Sequence, residues 1–545
     1  MNDNKRTKLN IPAIFMIVTP LLCAGLFALI HGIRYGQPFP GIIWNDEAAY
    51  LKLIETCVKT GQPLGYYGFD GNHAIIGTGS AWSPAILWPY AVFALIFPVG
   101  QSFVFFVNLF YITLANFLFV LLVRPNWKNA LRGIFFQATS AVLLLYLNVN
   151  MSEIFRFSLA IVLAGMFYRL FFLETPKWLK YIVMPVFILL TVQVYVFFAF
   201  CVPIYVWGIL KGKKVWIKCI LALLTQGIVA GGSYFFLHLI SSNYNIAKTE
   251  ALLNALKNGQ LFSALYAFLR MVKEGLAGVF SLWQYVYAYP LYPFHVIICI
   301  LLAGIGILLL GIRKKKLLKE LKKAFMPGQA ELVKIAVENE NKSTTNRDSV
   351  IGGMVVYSVL IFLFMYLSLY TIVPDTFMRG TYIVVIFSFY LIIMCDTKFL
   401  INGILLLNSA GLCLMGPSLK DFEANRFETN QVIDEWTNLQ NEFEEVFVMD
   451  QDADPWENTV LMYTMEPKVI CAVPAGMGIN FVLTDSVFST DCGYLLFTKH
   501  PADKLRADWV EKDYSQYLRL YGEILENEYD IIYESNDYIV YKKHY

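Results

Sequence analysis

Residues 11–33 contain no Asp, Glu, Lys or Arg and are apolar almost throughout. A run of that kind passes the ~18 residues that separate a membrane span from a buried core helix. Ten more apolar segments follow, at about 101–123, 131–148, 154–173, 179–191, 193–210, 215–240, 294–312, 350–373, 380–395 and 398–416. A soluble fold would have to bury all eleven. With 57 % hydrophobic and 15 % charged residues, the chain lacks the polar surface to cover such a core. The sequence therefore predicts an α-helical polytopic membrane protein with about 11 transmembrane helices. The same figures exclude a disordered chain, a small disulfide-stapled domain and a nucleic-acid binder.

Charge orients the chain. The net charge of +2 hides two opposed populations. Residues 417–545 carry 10 Lys/Arg against 25 Asp/Glu, while residues 1–416 carry 33 against 16. This split separates a basic membrane module, 1–416, from an acidic soluble tail, 417–545. Lys5, Arg6 and Lys8 precede the first span and place the N-terminus in the cytoplasm by the positive-inside rule. Residues 84–98 are apolar but interrupted by Pro84, Pro89 and Pro98. If they only dip into the interface, the basic loops 124–132, 177–180, 211–214 and 313–349 all fall inside. The outer segments are then 34–100, 149–153, 241–293 and 374–379, and the tail is extracytoplasmic. The Lys-rich inner loops suit a bacterial plasma membrane.

Two of these regions have further texture. Residues 250–280 have a helical pattern, and the following WQYVYAYPLYP reads as an interfacial aromatic belt. The tail reads as a small α/β domain, with helix near 501–528 and two strands in DIIYESNDYIVYKK. Cys471 and Cys492 lie in it and are open to a disulfide if the tail faces the outside.

The chemistry-bearing residues gather on the outer side. Trp44-Asn45-Asp46-Glu47 follows the first span and opens a helical pattern running to Lys59. A carboxylate there can serve as a general base or orient a sugar, or Asn45 and Asp46 can simply cap the helix. Asp46 and Glu47 are the catalytic candidates. The same loop continues GYYGFDGNHAIIGTGSAWSP. Its Asp70, Asn72 and His73 beside aromatic residues suit sugar binding, or a well-packed interfacial loop. Glu153 and Arg156 share one helix face at the second outer turn, as substrate ligands or as a local ion pair. Arg379 heads a late span with Tyr382 close by, placed to hold a phosphate or to snorkel. Arg270 is a further phosphate candidate.

In their order, these motifs resemble the GT-C superfamily of integral-membrane glycosyltransferases. The likeness rests on the first span, the long loop with Asp46-Glu47 near its start and the Pro-containing WSPAILWPYAVFALIFPVG. It rests also on Glu153 after the third span, on Arg379 with Tyr382, and on a closing soluble domain. The resemblance implies a polyprenyl-phosphate-linked sugar donor, a hydroxyl acceptor in the cell envelope and an inverting transfer with Asp46 as base. Glu47, Asp70, Asn72, His73 and Glu153 would orient sugar or acceptor, and Arg379, Arg156 or Arg270 would hold the phosphate. The first motif lacks the spaced acidic pair of metal-dependent oligosaccharyltransferases, so no metal or other cofactor is expected. The alternatives are a polysaccharide polymerase or ligase of the O-antigen type, which would carry its large Arg-bearing loop late. A lipid-linked-sugar flippase is the other, and would carry charges deep within its spans.

Overall fold

The computed structural model describes residues 10–35, 38–39, 47, 50–51, 53–54, 57–58, 61, 64–65, 78–79, 83–100, 102–210, 212–240, 249–287, 289–324, 341–369, 374–395, 402–403, 405–414, 459–463, 469–474, 481–483, 494–498, 518, 522–523, 525–534 and 538–544. Among the described residues, six helices are long and apolar enough to cross a membrane. They are α1 (Ile11–Tyr35), α3 (Phe103–Val123), α6 (Glu153–Phe172), α9 (Val215–Ile240), α12 (Leu291–Ala324) and α13 (Asn341–Leu369). The pair α4 (Trp127–Thr139) and α5 (Ala141–Leu147), bent by 65°, makes a seventh if it is counted as one span. The chain is thus a multi-pass helical membrane protein. The remaining expected spans form shorter apolar helices: α7 (Met184–Val194), α8 (Cys201–Ile209), α14 (Pro374–Ile392) and α15 (Leu405–Leu414).

In the segment 84–98, Pro84 opens a helix and Pro89 lies inside it. This helix is α2 (Pro84–Ala94), 11 residues long, with Ser83 Oγ accepting the Ala85 amide at its start. At 1.5 Å per residue it reaches about 16 Å, half of a ~30 Å hydrocarbon core.

Most of α6 is buried, 83 % against 22–50 % for the other long spans. It packs against α3 and α14 and forms the centre of the bundle.

Two breaks shape the bundle, and each has its freed carbonyls satisfied. Between α4 and α5, Ser140 adopts an extended backbone, with φ −78° and ψ 104°. The Asn408 side-chain amide of α15 donates to the Phe136 carbonyl at 3.1 Å, replacing a lost helical bond. After α7, Tyr195 is extended at φ −156° and a 3-10 turn, Val196–Phe200, leads into α8. Ser83 Oγ donates to the Gln193 carbonyl there at 2.5 Å. The interruption expected near Gln193 falls at this point.

Polar pins also tie the helices together. The Tyr390 hydroxyl donates to Asn116 Oδ1 at 2.6 Å, Asn116 pairs with Gln137, and Gln137 Nε2 reaches the Met16 carbonyl at 3.2 Å. Four helices, α1, α3, α4 and α14, meet in this network. Arg132, from an expected inner loop, donates to the Ile393 and Cys395 carbonyls at 3.3 and 3.1 Å. A guanidinium at that helix end satisfies carbonyls that no amide follows.

Between α9 and α12 lie α10 (Thr249–Lys257) and α11 (Leu261–Ser281), the helical stretch read in the sequence. Gly259, at φ +68°, makes the turn that divides them. In the segment between α1 and α2, β1 (Leu64–Gly65) pairs antiparallel with β2 (Thr78–Gly79). The tail contains β3 (Thr459–Tyr463), β4 (Val469–Pro474), β5 (Phe481–Leu483), β6 (Tyr494–Thr498), β7 (Tyr529–Glu534) and β8 (Tyr538–Lys543). They form one sheet in the order β5-β4-β3-β6-β8-β7, with β3 and β6 parallel and the other neighbours antiparallel. The two strands read in DIIYESNDYIVYKK are β7 and β8. The side chains of Cys471 and Cys492 lie outside the described residues.

Candidate functional site

The turn between α5 and α6, residues 148–152, is buried throughout. Buried backbone away from water needs partners, and two segments supply them. Glu47 Oε1 accepts the Asn150 amide at 2.6 Å. Asn150 Oδ1 accepts the Phe105 amide at 3.0 Å, in the first turn of α3. Asn108 Nδ2 donates to the Met151 carbonyl at 2.7 Å, and the Tyr90 hydroxyl donates to Asn108 Oδ1 at 2.6 Å. Burial first, then Tyr111, Glu153 and Tyr50, push the Tyr90 hydroxyl well above its ordinary value, so it remains a donor. The segment after α1 is thereby tied to the turn between α5 and α6.

Glu153 begins α6, where the helix dipole favours a carboxylate. It is 1 % exposed, and two guanidinium groups address one of its oxygens. Arg156 Nη1 stands 3.6 Å and Arg379 Nη1 3.7 Å from Glu153 Oε1. These are ion pairs at distances beyond a direct hydrogen bond. Glu153 Oε2 and Arg156 Nε have no hydrogen-bond partner among the described residues. The Arg156 guanidinium lies over the Tyr195 ring, 4.7 Å from its centre. The extended backbone at Tyr195, which ends α7, brings that ring into place.

Arg379 belongs to the first turns of α14, and its neighbours are fixed. The Thr381 hydroxyl donates to the Phe377 carbonyl at 2.6 Å, so it accepts from His295 Nε2 of α12 at 2.7 Å. Gly380 lies against the Tyr366 ring, where a Cβ would collide. The Tyr382 hydroxyl bonds Ser140 Oγ at the break between α4 and α5. Its ring meets Phe157 edge-on at 4.9 Å.

Beside this cluster is an apolar cavity of about 590 Å³ between α2, α3, α6, α7 and α9. Phe155 and Val194 line it. They immediately precede Arg156 and Tyr195, so the charged cluster adjoins the cavity through two elements. Trp88, Val92, Leu190 and Phe236 line it as well and are themselves exposed, so it opens on the bundle's flank.

The structure thus brings together Glu153, Arg156 and Arg379, with Tyr382 and Glu47 anchoring adjoining segments. Arg270 instead lies exposed on α11, paired with Glu274 at 2.8 Å. Asp46, Asp70, Asn72 and His73 lie outside the described residues. Sequence reading passed over Tyr90, Asn108, Asn150, Tyr195, His295 and Thr381. Asn108 and His295 carried a signal, as lone polar residues within apolar spans. Tyr195 carried none, since aromatic residues are common throughout the chain.

Fold and site together define a polytopic helical membrane protein with a buried charged cluster beside a flank-opening apolar cavity. No protein-family model matches the sequence, and no curated protein matches it. Among solved structures, the chain is similar to ArnT from Cupriavidus metallidurans, crystallised with undecaprenyl phosphate bound. The identity is 7 %, the TM-score 0.38, and the match covers 97 % of each chain.

Proposed function

We propose that this chain is a membrane glycosyltransferase of the GT-C type, moving a sugar from a polyprenyl-phosphate donor to a hydroxyl acceptor at the outer face. One juxtaposition supports the reading: two arginines on one buried carboxylate, adjoining an apolar cavity open to the flank. A single-chain lipid phosphate needs both features, a dry groove for its tail and guanidinium groups for its head.

The donor enters sideways, its prenyl chain in the cavity and its phosphate against Arg156 and Arg379. Glu153 holds both guanidinium groups in place. Asp46, the neighbour of the anchored Glu47, takes the proton of the acceptor hydroxyl. The acceptor oxygen attacks the anomeric carbon as the bond from that carbon to the phosphate oxygen breaks. The polyprenyl phosphate leaves with the electron pair, and configuration inverts. Charge growing on the departing phosphate is met by the fixed arginines. Asp70, Asn72 and His73 orient sugar hydroxyls, and no metal is required. In this reading the four shorter apolar helices complete eleven crossings. The N-terminus is cytoplasmic, the tail is an extracytoplasmic α/β domain, and the product belongs to a cell-envelope polysaccharide, lipid or protein.

The test is a lipid-linked donor assay on the purified protein, with mass spectrometry of the lipid it retains. Asp46→Asn is expected to retain polyprenyl phosphate and lose transfer. Near-wild-type transfer in that variant overturns Asp46 as base, and absence of any polyprenyl lipid overturns the donor class.

A further inference from the structure

α11 carries two apolar faces. One packs on α13: Ala264, Met271 and Gly275 are buried, and a Cβ at Gly275 would strike the Leu367 backbone. The opposite face carries Phe262, Leu265, Leu269, Leu276 and Phe280, spaced to form one stripe along the helix. They are 90, 55, 57, 44 and 70 % exposed. Lys273 interrupts the stripe between Leu269 and Leu276, and a soluble surface still rarely carries five large apolar residues in line without a covering.

Three observations name the covering. Leu367 lies two residues from the end of α13, so α11 crosses that span where it leaves the hydrocarbon. Phe268 of α11 meets Phe364 at 5.9 Å, and Phe364 and Leu360 are themselves exposed on α13, where a span faces lipid. The stripe therefore continues a surface that already lies against acyl chains. Exposed Trp283 and Tyr287 follow directly, residues that favour the boundary between acyl chains and headgroups. Arg270, Lys273 and Glu274 stand exposed along the helix, able to reach headgroups or water.

We infer that α11 is an interfacial helix, its Phe262–Phe280 stripe embedded in the leaflet at the Leu369 end of α13. This does not rest on the transferase reading. The helix would fix the height of the 241–293 segment above the bilayer.

The experiment places p-benzoylphenylalanine at Phe262, Leu269 or Met271 of the full chain. The protein is reconstituted in nanodiscs of phosphatidylethanolamine and phosphatidylglycerol and irradiated. Phospholipid-mass adducts are expected at Phe262 and Leu269, and only products within the chain at Met271. Positions 262 and 269 are exposed, so the probe leaves the packing intact. A spin label at Phe262→Cys, in a background without other cysteines, reads the same question independently. Dissolved oxygen is expected to relax it, and an aqueous nickel chelate is not. Crosslinks to a second copy, or relaxation by nickel without lipid adducts, overturn the inference.

Discussion

The Glu153 carboxylate and the Arg379 guanidinium approach to 3.7 Å from two helices distant in sequence, with Arg156 on the same oxygen. Removing one partner from a buried ion pair leaves an uncompensated charge and costs about 3–5 kcal/mol. Glu153→Ala and Arg379→Ala are each expected to lower the melting temperature of the purified protein clearly. The double variant should fall short of the sum, because the second deletion removes the charge that the first left unpaired. Strict additivity in a thermal-shift cycle would refute the coupling.

Glu47 gives one oxygen to the Asn150 amide. Glu47→Ala leaves that amide buried and unpaired, a loss of about 1–3 kcal/mol. Glu47→Gln retains an acceptor and is expected to lose much less. Thermal unfolding in detergent separates the two. If both variants lose stability equally, the hydrogen bond is not what Glu47 contributes.

Cys57 lies in the helical stretch after Glu47 and is 6 % exposed. Burial pushes its thiol above the ordinary value. The thiolate is the reacting species, so the native protein holds less of it than the unfolded chain at any pH between the two values. Alkylation of Cys57 should be slow near neutral pH, rise as pH climbs through the raised value, and jump on denaturation. Peptide mass spectrometry after timed alkylation checks this. Rapid labelling of the folded protein at pH 7 would contradict it.

Leu118 lines the apolar cavity. Leu118→Trp is expected to fill part of the 590 Å³ and reduce retained lipid several-fold, while the melting temperature changes little. Unchanged lipid content in the purified variant would separate the cavity from lipid binding.

The Tyr390 hydroxyl donates to Asn116 inside the bundle. In membrane proteins one such bond is worth about 0.6–2 kcal/mol. Tyr390→Phe is expected to cost that much stability and leave lipid retention unchanged. A large loss of bound lipid would place this network in the site.

Much of the architecture was legible in local pattern. Long uncharged apolar runs announced the six long helices, and Pro84 announced the start of a short one. The i, i+3 spacing announced Glu153 with Arg156. Arg379 was nominated too, but as a phosphate ligand on its own. Its pairing with Glu153 depends on how α14 packs against α6, which no local pattern encodes. Glu47 was read as a rival base, whereas the structure gives its carboxylate a backbone amide to hold.

The sequence by itself determined that this chain enters a membrane, because hydropathy is a sum over neighbouring residues and needs no partner. It also marked the interruption near Gln193, whereas the breaks at Ser140 and Gly259 fall inside stretches that read as single helices. Only the tertiary structure decided which polar residues meet. The Glu153–Arg379 ion pair and the Glu47–Asn150 and His295–Thr381 hydrogen bonds join groups far apart in the chain. Such contacts exist only after the apolar helices pack and bring these groups together.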